Sequence, residues 1–165
     1  MSDFTHLSPD GALRMVDVGD KPVSRRSAVA EGQMLMQAST LRLITAGASR
    51  KGNVLETARL AGIMAAKRTS EWIPLCHPIP LSCVSIQFVP REPSSLLVQA
   101  TAVADGKTGV EMEALTAVSA ACLTVYDMCK SVDRAMEITG IRLMQKTGGK
   151  SGDYLRESTE APPET

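Results

Sequence analysis

The sequence is poor in aromatic residues and carries no net charge. Aromatic side chains make up 3% of its 165 residues, and 18 basic residues balance 18 acidic ones. A platform for single-stranded nucleic acid needs several exposed rings, and binding to DNA or to an anionic membrane relies on a positive field. The composition therefore argues against nucleic-acid and membrane partners, so any anion site has to be built locally.

Long hydrophobic runs and metal-type cysteine spacings are also missing. The N-terminal MSDFTHLSPDG lacks the apolar core of a signal peptide, and the weakly polar run 114–126 is shorter than the ~20 residues of a membrane span. The four cysteines form no CxxC pair, so we expect neither a disulfide framework nor a structural zinc site. These absences predict a cytoplasmic protein without a metal centre.

Complete nucleotide-binding and hydrolase motifs do not occur. GKT at 106–108 and GKS at 149–151 resemble the end of a P-loop, but Thr101 and Met144 stand where its first glycine is required. The sequence has no GxGxxG, HExxH or GxSxG motif. A looser contact between a phosphate group and these glycine–lysine turns remains open.

The length and composition predict one globular domain. Hydrophobic residues make up 44% and charged residues 22% of the chain, which is typical of a soluble protein with a substantial core. We interpret residues 1–153 as a single domain whose first 30 residues are loosely structured. Residues 154–165 are interpreted as a polar, flexible tail.

The hydrophobic periodicity predicts an α+β fold. Strands are expected at 33–38, 81–89, 96–104 and 138–146, and a helix at 54–67 begins with a capping box of Asn53 and Glu56. A short helix capped by Ser39 or Thr40 would end at Gly47. Setting that helix aside, the order β-α-β-β-α-β is ferredoxin-like, with an antiparallel sheet covered by two main helices on one face.

The second main helix is predicted within 106–130. Apolar residues at steps of three and four predict one buried stripe of Leu115, Val118, Cys122, Val125, Cys129 and Val132. The opposite face carries Glu113, Thr116, Ala120, Asp127 and Lys130, and Asp127 and Lys130 are neighbours there. The GKTG entry favours an anion at the helix N-terminus. A solvated face without function explains this face equally well.

Basic residues and one histidine are candidates for a polyphosphate site. Taken alone, His77 in the proline-rich loop is more readily explained as a hydrogen-bonded structural residue. Six lysines lie mostly at the ends of elements or in loops: Lys51, Lys67, Lys107, Lys130, Lys146 and Lys150. If they converge with Asp127, His77 and Glu113, the set would suit acid–base chemistry on a polyphosphate substrate.

Three stretches resemble the cyclic pyranopterin monophosphate synthase family of molybdenum cofactor biosynthesis. They are KGNVLETARLAGIMAAKRTSEWIPLCHPIPLS, KTGVEMEALTAVSAACLTVYDMCK and RLMQKTGGKSGD, and the resemblance covers about residues 4–153. Three positions depart from the family pattern. Asp is expected in place of Asn53, Leu in place of Trp72, and often a charged residue in place of Cys83, so a catalytic role for position 53 is weakened.

The resemblance implies a lyase. Its substrate would be 3′,8-cyclised dihydro-GTP, made by a radical SAM partner enzyme and converted to cyclic pyranopterin monophosphate with loss of pyrophosphate. The implied substrate-binding residues are Leu75, Cys76, His77, Met112 and Glu113. The implied catalytic residues are Asp127, as the acid–base group, with Lys130, Lys51 and His77. Further phosphate contacts would come from Arg25, Lys67 and Lys146.

The resemblance also implies a hexamer built as a trimer of dimers, with sites at the subunit interfaces. No cofactor is signalled, although magnesium would suit the pyrophosphate. A non-catalytic oligomeric module that binds nucleotides for regulation is the alternative function. A ferredoxin-like RNA-binding protein is disfavoured by the few aromatic residues and the zero net charge.

Overall fold

Five antiparallel strands form one sheet in the computed structural model, which describes residues 10–47 and 52–157. The strands are β1 (Ser24–Leu35), β2 (Cys83–Arg91), β3 (Ser95–Gly106), β4 (Glu137–Thr147) and β5 (Tyr154–Leu155), in the spatial order β2-β3-β1-β4-β5. The helices are α1 (Ala38–Thr45), α2 (Val54–Ala66), α3 (Thr69–Trp72) and α4 (Glu111–Cys129). The predicted ferredoxin-like order is confirmed.

Alternating small and branched residues give the sheet its buried face. On β3, Leu96, Val98, Ala100 and Ala102 are fully buried, as the alternation predicted. They pair across to β1, where Met34 lies opposite Leu96 and Ala30 lies opposite Ala100. The helix α4 packs on β1, β3 and β4, while α2 packs on α4 and β2. The core therefore lies between the sheet and these two helices.

The long helix α4 is buried on more sides than the sequence predicted. Val118, Cys122 and Val125 are fully buried, which confirms the centre of the apolar stripe. Glu113 and Thr116, placed by the prediction on a solvated face, are also buried, and α2 packs against this helix. The prediction that Val132 belongs to the buried stripe is wrong, because Val132 lies beyond the end of the helix and is exposed.

A glycine allows α2 and α4 to pack closely. A Cβ atom at Gly62 would lie 2.7 Å from the carbonyl oxygen of Ala117 and would collide with Cδ1 of Ile86. Ala58 and Ala65 on the same face of α2 are buried as well. The small-residue face of α2 is therefore used within the protomer, so it does not itself argue for subunit contacts.

The helix starts follow two different mechanisms. The predicted cap of α2 by Asn53 is confirmed, because Asn53 Oδ1 accepts a hydrogen bond from the N–H of Glu56 at 3.1 Å, while the Glu56 carboxylate pairs with Arg59. On α1, the predicted cap by Ser39 or Thr40 is wrong. Gln37 is the N-cap, and its N–H donates to Asp133 Oδ2 at 2.8 Å. A residue that is 96 positions away along the chain thus supplies the cap.

Other boundaries differ from the prediction at both ends of the chain. The segment 1–30 that was predicted to be loosely structured overlaps β1, which begins at Ser24. Tyr154 and Leu155, at the start of the predicted flexible tail, pair with Lys146 and Gln145 of β4. The short helix α3 interrupts the predicted loop before His77. In the described part of the chain, no helix combines the length and apolarity needed to cross a bilayer.

Candidate active site

The strand order brings two glycine–lysine turns to one end of the sheet. The central strand β1 is antiparallel to both β3 and β4, so its beginning lies beside the ends of both neighbours. Ser24 pairs with Gly106 of β3, and Ser27 pairs with Thr147 of β4. The GKT and GKS turns that follow those strands therefore lie on either side of Arg26.

A cationic cavity of about 660 Å³ lies between these turns. Its basic lining residues are Lys21, Arg26, Lys107, Lys146 and Lys150. Glu111, at the start of α4, also lines it, with Oε1 at 3.6 Å from Lys146 Nζ. Because the basic groups outnumber this carboxylate, the cavity favours an anion with several negative charges.

Two consecutive glycines allow the second turn to close over Arg26. Gly148 and Gly149 have φ angles of 87° and 89°, a backbone conformation that other residues rarely adopt. A Cβ atom at Gly149 would collide with the guanidinium group of Arg26. Arg26 itself is 8% exposed, and its Nε donates to the carbonyl of Gly106 at 3.3 Å. Its charge is therefore held in place at the base of the cavity.

A second cavity, of about 390 Å³, continues from the first along the start of α4. It brings together five of the residues implied to bind substrate: Leu75, Cys76, His77, Met112 and Glu113. Val16, Val18 and Ile79 complete an apolar lining, and Lys21, Thr108, Gly109 and Glu111 line both cavities. The two cavities thus form one groove with an apolar half and a cationic half.

A buried carboxyl group lies in the apolar half. The pKa of Glu113 is raised to about 7, mainly by burial; a hydrogen bond with its own backbone lowers the pKa, and the nearby charge of Glu111 raises it. Burial, followed by the charge of Glu113, also raises the pKa of the Cys76 thiol. Glu113 can therefore exchange a proton near neutral pH, whereas Cys76 stays protonated and is a poor nucleophile.

Asp127 and Lys130 form an ion pair at the other end of α4. Their Oδ1 and Nζ atoms are 2.7 Å apart, and the hydrogen bond and charge of Asp127 raise the pKa of Lys130. Both side chains are more than half exposed. Asp127 follows Glu113 by fourteen residues, which corresponds to about 21 Å along a helix. One protomer therefore does not bring this pair to its own groove.

The other implied phosphate contacts are distributed unevenly. Lys146 lines the cationic cavity and donates to Ser151 Oγ at 2.5 Å. Arg25 on β1 and Lys67 at the end of α2 are exposed and line neither half of the groove. Lys51 lies outside the residues that the structure describes. Among the described residues, no group of three or more His, Cys, Asp or Glu side chains could hold a metal ion.

Three charged residues of the groove were not selected from the sequence: Lys21, Arg26 and Glu111. Arg26 follows Arg25 directly in the sequence, and alternation along β1 decides which of the two side chains lies on the face covered by the helices. A usable signal was the pair of glycine–lysine turns, because the predicted strand order already places both beside the start of β1. No pattern in the sequence marked Lys21.

The fold defines a ferredoxin-like α+β protein, and its groove joins an apolar half to a cationic half. The chain belongs to the MoaC family, whose family model matches residues 15–149. It is 56% identical over 157 residues to cyclic pyranopterin monophosphate synthase 1 of Mycobacterium bovis, covering 95% of this chain and 92% of that protein. Cyclic pyranopterin monophosphate synthases of Chloroflexus aggregans and Parvibaculum lavamentivorans are 55% and 58% identical, with at least 92% of each chain covered.

Proposed function

We propose that this protein is a cyclic pyranopterin monophosphate synthase, a lyase of molybdenum cofactor biosynthesis. Its substrate is the 3′,8-cyclised dihydro-GTP supplied by a radical SAM enzyme. The purine is rebuilt as a pyranopterin, a cyclic phosphate forms, and pyrophosphate leaves. The family membership and the similarity over nearly the whole chain support this activity. The GTP-derived substrate fits a cytoplasmic location, which stays a prediction.

The observation that carries the proposal is the single groove with two chemically different halves. The apolar half, lined by Leu75, His77 and Met112, suits a fused ring system. The adjoining cationic half suits the three phosphates of a GTP-derived substrate. A ligand bound across both halves has the ring at one end of the groove and the leaving pyrophosphate at the other.

The cationic half favours departure of pyrophosphate. Negative charge accumulates on the leaving group as the bond to phosphorus breaks, and fixed positive charges stabilise that state more than the ground state. Arg26 is held by the Gly106 carbonyl and by the glycine turn, so it needs little reorganisation when the charge develops. Lys146 contributes a second charge from β4.

Ring rearrangement also needs proton transfer. Glu113, with a pKa of about 7, is suited to donate and accept protons at the ring. Asp127 acts as the main acid–base residue, assisted by Lys130, Lys51 and His77. The rearrangement and the loss of pyrophosphate involve no net oxidation, so the chemistry needs no redox cofactor. Magnesium would accompany the pyrophosphate group rather than a protein cage.

The distance between Asp127 and the groove supports sites shared between subunits. Because about 21 Å of helix separates Asp127 from Glu113 in one protomer, Asp127 and Lys130 act on the groove of a neighbouring copy. Large apolar side chains exposed on the helical layer suit such association: Leu60, Met64, Trp72 and Leu123. A hexamer built as a trimer of dimers is the proposed assembly.

Incubation of the purified protein with the cyclised GTP intermediate tests the activity. We expect stoichiometric release of pyrophosphate and formation of the cyclic phosphate product. The alternative, a non-catalytic module that binds nucleotides for regulation, predicts binding of the same compound without pyrophosphate release. Binding without turnover under conditions that keep the protein oligomeric would therefore reject the enzyme.

A further inference from the structure

The segment before β1 lies along the groove. Val16, Val18 and Lys21 are half-buried there, whereas the residues between them are exposed. The same three residues line the groove, with the two valines in the apolar half and Lys21 where the two halves meet. We call residues 16–21 the strap.

Two hydrogen bonds fix the strap to residues that are distant in sequence. The Val16 carbonyl accepts from His77 Nε2 at 2.8 Å, and the Gly19 carbonyl accepts from Lys107 Nζ at 2.5 Å. Within the strap, the N–H of Lys21 donates to the Val18 carbonyl at 3.1 Å. The strap is therefore a hydrogen-bonded turn anchored at both halves of the groove, although it belongs to no sheet strand.

The contact with Val16 determines which ring nitrogen of His77 carries a proton. A backbone carbonyl can only accept a hydrogen bond, so the proton must be on Nε2. In the neutral imidazole, Nδ1 then keeps its lone pair. Nδ1 is consequently the atom through which His77 can accept a hydrogen bond or a proton from a ligand.

Lys21 lies at the junction of the two halves, together with Thr108, Gly109 and Glu111. A ligand with its ring in the apolar half and its phosphates in the cationic half has to pass this junction. The ammonium group of Lys21 is therefore placed for the phosphate that is nearest to the ring. Lys107 and Lys150 line only the cationic half, so they are placed for the more distant phosphates.

We infer that the strap is a working part of the substrate site. Val16 is a positioning residue that holds His77 with Nδ1 as the acceptor, and Lys21 binds the phosphate group closest to the ring. This inference rests on the proposed function for the identity of the ligand. The geometry of the Val16–His77 contact, however, can be tested without turnover.

Substitutions of Lys21 test the role of its charge. We expect Lys21→Ala to raise KM for the cyclised substrate about tenfold with a smaller change in kcat, and Lys21→Arg to restore KM. Added salt should raise the wild-type KM more steeply than that of Lys21→Ala, because ions screen the lost charge–phosphate attraction. An unchanged KM in Lys21→Ala would overturn the assignment of this residue.

Two deletions test the contact between Val16 and His77. A variant lacking residues 2–18 loses the Val16 carbonyl and keeps Lys21, while a matched control lacking residues 2–12 keeps the whole strap. We expect kcat to fall about tenfold or more only in the longer deletion. Both deletions remove His6, the other histidine of the chain, so the single remaining imidazole signal in isotope-edited NMR belongs to His77. The Nε2-bound proton should be protected in the control and lost in the longer deletion.

The outcomes separate the strap from the proposed function. If the wild type releases no pyrophosphate, the proposed function fails, while NMR still tests the Val16–His77 contact. If the wild type turns over and the longer deletion keeps both its kcat and the protected Nε2 proton, the positioning role of Val16 is overturned. If the longer deletion does not fold, the Lys21→Ala and Lys21→Arg pair decides whether the strap contributes to binding.

Discussion

At the scale of single residues, Glu113 is a buried acid that lines the apolar half of the groove. It is 3% exposed, and its pKa is raised from 4.5 to about 7. Between these two values, the folded chain holds a proton that the unfolded chain has lost. The stability contributed by neutral Glu113 is therefore complete below pH 4.5 and is lost as the pH rises through 7.

Glu113→Gln should remove this dependence of stability on pH. Relative to wild type, the variant should gain about 2–3 kcal/mol of unfolding free energy between pH 5 and pH 8, because the amide never ionises. Urea denaturation of both proteins at equal concentration and at each pH measures the difference. Parallel pH profiles for the two proteins would contradict the raised pKa of Glu113. The same variant should lose activity, since stability and function conflict at this position.

Asp127 differs from Glu113, because its side chain is exposed in one protomer and it is the proposed acid–base residue. In one protomer its ion pair with Lys130 lies at the surface, where such pairs add little stability. Asp127→Asn should therefore leave folding and substrate affinity nearly unchanged, while the rate falls by about two to four powers of ten through loss of the acid–base group. Single-turnover release of pyrophosphate at saturating substrate measures this rate. Glu137→Gln, an exposed carboxylate-to-amide change on β4, is the control, and a normal rate in Asp127→Asn would reject the assignment.

At the scale of elements, the contact between α2 and α4 determines how the start of α4 is held under the groove. Gly62→Ala places a methyl group against the Ala117 carbonyl and Ile86, so the two helices must move apart. The cost of such overpacking, about 1–3 kcal/mol, exceeds the roughly 1 kcal/mol that alanine gains in helix propensity. We expect a net loss of stability in chemical denaturation. Gly106→Ala is the matched control, because its Cβ would meet only the Thr108 carbonyl at 3.7 Å. Equal stability of the two variants would contradict the tight packing at Gly62.

Regular periodicity explains which elements could be predicted from the sequence. The alternation on β3, from Leu96 to Ala102, and the N-cap of α2 by Asn53 are local signals, and both are present in the structure. The start of β1 was missed because residues 24–27 are polar, and three of these four, Ser24, Arg26 and Ser27, line the groove.

Contacts between distant residues explain what could not be predicted. The cap that Asp133 provides for α1 and the hydrogen bond from His77 to Val16 join positions that no local pattern connects. Five residues of the apolar half of the groove were predicted, because the family resemblance implied them as substrate contacts. The cationic half depends on which strand ends meet, so Arg26 and Lys21 became apparent only from the topology.

At the scale of the whole molecule, the proposed sharing of sites between subunits would make activity depend on assembly. Light scattering should show an oligomer, and a fully active monomer would contradict the proposal.

The sharper experiment mixes two inactive variants, His77→Ala and Asp127→Asn, by refolding them together. In a mixed dimer with shared sites, one site carries both changes, while the other combines an intact His77 with an intact Asp127 from the neighbouring subunit. Random mixing should then restore about a quarter of the wild-type activity, because half of the dimers are mixed and each has one intact site. If each protomer instead completes its own site, every site in the mixture carries one change, and the activity stays at the level of the separate variants.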